Sequence, residues 1–220
     1  ASMAISCLKS GNYEEAIKRA QESIDWSCTN TAHESLKIIH ANALVTYALC
    51  NVYLFREGIE NISEPLSLAE ENLRNADKVF TNIKEKSHHL GRYFGTLVFL
   101  KIARFDQVGN GLNLDASEQS SLLKNATLTH SPIEFRTKFG RAAGLYCEAF
   151  CHYWLAKTIG NIEEHLDKAQ KQLDEINNLI NDNQVNAREK VECLRDAMKE
   201  IQKGYHDDPK EYQWLALPIN

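Results

Sequence analysis

Apolar residues recur at three- and four-residue intervals along nearly the whole chain, which is the period of a helix with one buried face. Ala16, Ile17, Ala20 and Ile24 form one such stripe between about Tyr13 and Trp26. A longer one runs through Ile38, Ile39, Ala41, Leu44, Val45, Ala48, Leu49, Val52 and Leu54. Leu66, Ala69, Leu73, Ala76 and Phe80 make a third. Phe94, Leu97, Val98, Leu100, Ile102 and Phe105 make a fourth, within 87–107. Further helices are predicted over 115–126, 131–160, 161–180 and 183–203.

The punctuation between the stripes is that of helix ends. Thr31-Ala32-His33-Glu34 and Asp115-Ala116-Ser117-Glu118 read as capping boxes, in which a side-chain oxygen and a Glu three residues later each take a free backbone N–H. Pro65 falls where a first helical turn tolerates it, and Ser131-Pro132-Ile133-Glu134 gives another start. Gly11, Gly160 and Gly204 mark stops. Asp208-Pro209-Lys210-Glu211 then restarts structure, and Tyr212, Trp214, Leu215 and Leu217 follow closely. The pattern predicts an all-α chain of about nine helices, folded as one domain over 1–220. Residues 205–220 are expected to cap it, with Trp214 packed against the 161–203 helix pair, or else to dock on another domain or subunit.

One segment has an echo. Gly11-Asn12-Tyr13-Glu14-Glu15-Ala16-Ile17, with Ala20 and Gln21 after it, returns as Gly160-Asn161-Ile162-Glu163-Glu164-His165-Leu166, with Ala169 and Gln170 after it. Loops that begin at Asn12, Asn61, Asn110 and Asn161 are spaced 49, 49 and 51 residues apart. A fixed period of this length points to stacked helix pairs, each burying its apolar face on its neighbours. The plainer alternative is a set of generic amphipathic hairpins that share Gly and Asn for local turn chemistry.

The Gly11–Ala20 segment resembles the inter-helix turn of a tetratricopeptide repeat, with Ala16 and Ala20 as the small residues that let two helices approach. The Gly160–Ala169 copy is similar, although His165 stands where the family has Ala. The spacing near 49 exceeds the family's 34, no Trp-x-x-Leu-Gly opens a first helix, and Pro does not close each unit. The resemblance implies antiparallel hairpins stacked in a right-handed superhelix that binds a peptide or partner domain in its concave groove.

Composition narrows the classes without naming a ligand. The chain is 43% apolar and 25% charged, with a net charge of −5, which does not describe a general nucleic-acid binder. No apolar run is long enough to span a membrane, since the best stretch, Leu97–Leu100, is cut by Lys101 and Arg104, and no secretory signal leads the chain. A cytoplasmic protein is expected. The six cysteines (Cys7, Cys28, Cys50, Cys147, Cys151, Cys193) lack the dense spacing of disulfide scaffolds and read as reduced.

Catalytic and metal motifs are weak. Glu85-Lys86-Ser87-His88 lacks the second Glu-x-x-His that a bundle di-iron site needs. Cys147, Cys151 and His152 share part of a helix but have no second ligand pair, so core packing is the favoured reading. His206-Asp207-Asp208 sits in a turn and lacks upstream partners. No catalytic residue, metal or cofactor is therefore expected. Basic residues are more suggestive. Lys84, Lys86, His89, Arg92, Lys101 and Arg104 form one stretch, and Arg136, Lys138 and Arg141 a second. On the first helices of a repeat they would suit an acidic peptide, a terminal carboxylate or phosphates. The leading expectation is a non-enzymatic protein-interaction scaffold. The second is an RNA-binding helical array that stacks bases on Tyr93 or Phe94.

Overall fold

The computed structural model describes residues 2–28, 33–58, 64–83, 90–108, 114–130, 137–159, 161–181, 183–204 and 215. Nine helices and no strand occur among them, as the periodicity predicts: α1 (Ser2–Lys9), α2 (Tyr13–Cys28), α3 (Glu34–Arg56), α4 (Pro65–Thr81), α5 (Leu90–Gln107), α6 (Ala116–Leu128), α7 (Lys138–Ile159), α8 (Ile162–Asn177) and α9 (Val185–Gln202). The sequence reads as one domain, and the chain forms two compact units, Ala1–Ala103 and Arg104–Asn220, with the boundary inside α5.

In the first unit α2 packs on α1 and α3, and α3 packs on α4. Ala16 and Ala20 are fully buried on α2, so the backbones there approach closely. The α1–α2 turn is set by Gly11 at φ +73°, a conformation that costs glycine nothing, and Asn12 caps α2 by accepting from the Glu15 N–H at 3.3 Å. Pro65 is in the first turn of α4, and Leu66, Ala69, Leu73, Ala76 and Phe80 are all buried. Phe80 meets Tyr93 of α5 edge-on, with ring centroids 5.9 Å apart.

Two expectations for α3 need correction. Thr31 lies outside the described residues, and Glu34 opens the helix rather than closing a capping box; His33 is the N-cap and makes no side-chain cap bond. By length and composition α3 is also apolar enough to cross a membrane, with an 18-residue window of mean hydropathy 1.4. Asn42, Thr46 and Asn51 interrupt its apolar run. Thr46 donates to the Asn42 carbonyl at 2.8 Å and Asn51 to the Tyr47 carbonyl at 2.9 Å, bonds that let polar groups sit inside. Of that window 67% is buried within the protein, with α2 and α4 packed alongside.

In the second unit α7 is the central helix, in contact with α6, α8 and α9. Tyr146, Ala149, Phe150, Tyr153, Trp154 and Leu155 are buried along it, and the Trp154 indole N–H donates to Asp106 at 3.0 Å. The Asp115–Glu118 capping box at α6 is as predicted, with bonds of 2.8 and 3.0 Å. The predicted start of α7 at Ser131 lies outside the described residues, and the helix is described from Lys138. Ahead of α8, Asn161 is left-handed, at φ +52°. Trp214 also lies outside the described residues. Its neighbour Leu215 is buried, and the Leu215 carbonyl accepts from the Tyr146 hydroxyl of α7 at 3.0 Å.

Candidate functional site

Of the basic residues singled out from sequence, the described ones lie on α5 and on the first turns of α7. Lys84, Lys86, His89 and Arg136 lie outside the described residues. Arg92 is exposed and Lys101 half-buried on α5; nine residues apart, they fall on opposite sides of the helix. Arg104 donates to Gln107 one turn along at 3.1 Å. Lys138 is exposed at the start of α7. Arg141 forms an ion pair with Glu175 of α8 and is thereby committed to the fold. Tyr93, expected as a stacking platform, is buried against Phe80, and Phe94 packs edge-on against Tyr93 at 5.2 Å.

The polar chemistry gathers elsewhere, in an open cleft of about 410 Å³ on the second unit. Leu123, Thr127, Glu148, His152, Lys168, Lys171, Gln172 and Glu175 line it. These are helical stripes: positions 123 and 127 on α6, 148 and 152 on α7, and 168, 171, 172 and 175 on α8 each recur at three- or four-residue spacing. Three helices therefore present polar faces to one depression.

A close crossing sets the geometry between α6 and α7. A Cβ at Gly144 would lie 2.7 Å from the His130 Cβ and 2.9 Å from the Thr129 carbonyl carbon, so only glycine allows this approach. The buried Thr129 hydroxyl ties the crossing, donating to the Gly144 carbonyl at 2.9 Å or to the Ala126 carbonyl at 2.5 Å. The crossing brings His130 to Glu148, with Nε2 to Oε2 at 2.6 Å, while the Thr127 hydroxyl donates to the other carboxylate oxygen at 2.7 Å. Burial alone would raise the Glu148 pKa. The bonds from His130 and Thr127 outweigh it and hold the carboxyl below its ordinary range.

Behind this pair, His152 of α7 and His165 of α8 face each other, with their Nδ1 atoms 2.9 Å apart. Both are buried. A hydrogen bond between two ring nitrogens needs one proton, so one ring donates and the other accepts. Burial, reinforced by His165, pushes His152 down to about 4, and burial lowers His165 too. Both rings are therefore neutral near pH 7. His165, which stands where the first copy of the repeated segment has Ala16, is thus a partner for the long α7.

On the rim, Lys168 pairs with Glu164 at 2.5 Å and both are exposed. Among the described residues no set of three His, Cys, Asp or Glu side chains is placed to hold a metal ion. Cys147 and Cys151 are buried in the core, where burial raises both thiols, in keeping with a packing role. Glu85 to His88 and His206 to Asp208 lie outside the described residues. Comparisons with protein-family models, with curated proteins and with solved structures give no match.

Proposed function

We propose that this chain is a non-enzymatic interaction module of tetratricopeptide-like construction, which holds a peptide or a segment of a partner protein and acts in the cytoplasm. The observation that carries the reading is the α6–α7–α8 cleft, which is open and shared among three helices. Small-molecule sites are mostly enclosed and apolar, with a few convergent polar groups. An open cleft, with polar side chains from three helices along it, instead suits a chain that lies across it. The buried alanines support the family likeness. Ala16 and Ala20 on α2 and Ala169 on α8 occupy the positions where that repeat needs small residues.

The test is selection from a random peptide library on the immobilised protein, followed by calorimetric titration of the enriched peptides. Saturable one-to-one binding is the expected result. No enrichment, together with salt-sensitive binding of a single-stranded RNA, would overturn the reading in favour of the RNA-binding array.

A further inference from the structure

Two histidine bonds tie the three helices of the cleft, and acid acts on them in opposite senses. His130 of α6 is bonded to Glu148 of α7, and His152 of α7 to His165 of α8. A proton taken up by His130 turns the first bond into an ion pair. The Glu148 carboxyl, held below its ordinary range, keeps the charge that this pair needs. The second bond joins two imidazoles and requires one bare nitrogen. With both rings charged the acceptor is gone, and two cations stand side by side.

The carboxylates beside the histidine pair are already engaged. Glu148 accepts from Thr127 and His130, and Glu164 pairs with Lys168. The titratable groups around the pair are thus His130 from α6, Glu148 from α7, and Glu164 and Lys168 from α8, with Lys171 and Glu175 farther along the cleft wall. The far end of α8 has a different tie, the ion pair of Arg141 with Glu175, whose guanidinium keeps its charge throughout. Glu175 lies ten residues beyond His165, about 15 Å along the helix axis.

We propose that acid opens one corner of the cleft: with His152 and His165 both protonated, the N-terminal half of α8 parts from α7, while His130–Glu148 keeps α6 in place and Arg141–Glu175 holds the other end of α8 as a hinge. This adds a regulation to the site on which the interaction-module reading rests. The window follows from His152, which falls from 6.5 to about 4 on burial. The closed corner keeps its full advantage above pH 6.5 and loses it as the pH falls toward 4.

Hydrogen exchange of the full chain, read by mass spectrometry at pH 7 and pH 5 with times scaled to the intrinsic rate, tests the gate without any ligand. Backbone amides over 166–170 are expected to exchange about tenfold faster at pH 5. Those over 120–128 of α6 and 173–177 of α8 are expected to stay within about twofold. His152→Gln and His165→Gln, in which the pair cannot be charged twice, are each expected to reduce the rise over 166–170 to about threefold or less. Arg141→Met is expected to extend the acid-driven exchange to 173–177.

Flat exchange over 166–170 in the wild type, or a tenfold rise that both Gln variants keep, would overturn the gate. Exchange that rises together in α6 and in both halves of α8 would overturn the asymmetry. Exchange still confined to 166–170 in Arg141→Met would overturn the hinge. Peptide selection at pH 7 depends on none of these outcomes, so the interaction-module reading stands or falls on its own test.

Discussion

Acid should loosen the seam between α7 and α8, and His152 should account for a measurable part of the effect. The ring is buried and bonded through Nδ1 to His165, a bond that needs one nitrogen bare. A second proton on the pair removes the acceptor and sets two cations side by side. The pKa of His152 falls from 6.5 to about 4 on folding. Below pH 6.5 the unfolded chain therefore binds a proton that the folded one refuses, and stability falls as the pH falls toward 4. A drop of that size corresponds to a ceiling of about 3 kcal/mol at 1.36 kcal/mol per pH unit. The groups that act on His152 electrostatically are Glu148 on α7 with Glu164, His165 and Lys168 on α8; the two carboxylates oppose the shift and the two bases assist it. His40 and His165 are also lowered, so they add to the same slope. Glu148 acts in a different window, since its lowered pKa removes stability only as the pH falls below 4.5. The assay is urea unfolding at intervals between pH 7.5 and 4.5, for the wild type and for His152→Gln. The variant's stability should depend on pH less steeply across this interval, by about 1–2 kcal/mol in total. Two curves that run parallel would refute the reasoning, since the slope would then come from groups other than His152.

Three further outcomes are expected. Gly144→Ala should cost about 1–3 kcal/mol in chemical unfolding, because the new methyl group meets the Thr129 backbone and not a yielding side chain; a gain of about 1 kcal/mol, as helix propensity alone predicts, would remove the close crossing from the account. Ala20→Leu and Ala169→Leu, at two fully buried positions, should each lose about 1–3 kcal/mol by overpacking, and unchanged stability at both would mean that the repeat alignment is wrong. Tyr146→Phe deletes the hydroxyl that holds the Leu215 carbonyl and should cost about 1 kcal/mol, with faster proteolysis of the C-terminal segment as a second readout.

The helices were legible in the sequence because each is an amphipathic stripe bounded by local signals. Asp115 with Glu118, Pro65 and Gly11 all act within a turn of where they stand, so short-range chemistry fixes them. The cleft was not legible for the opposite reason. Thr127, Glu148 and Lys168 lie 21 and 20 residues apart, and only the α6–α7 and α7–α8 crossings bring them together. A signal was nevertheless present. Glu148 and His152 stand four apart on the same side of a helix that also carries Tyr, Phe, Trp and Cys, and His165 stands where the first copy of the repeated segment has Ala16. Polar residues on a face that should be apolar are the readable trace of such a cleft. Charge is visible in a sequence and pairing is not. Arg141 looks available until Glu175, 34 residues on, is placed beside it.

The buried cysteines make the molecule its own stopwatch. Cys50 belongs to the first unit, Cys147 and Cys151 to the second, and burial raises all three thiols, Cys50 to about 12. A thiol reagent that needs the thiolate and free access cannot reach them in the closed state. Cys28, exposed at the end of α2, would react at once and mark time zero. Each later label then records an excursion of the unit that carries it. Mass spectrometry of the labelled peptides would give separate opening rates for the two units from a single unmodified chain, and would reveal whether ligand capture on the second unit is felt by the first.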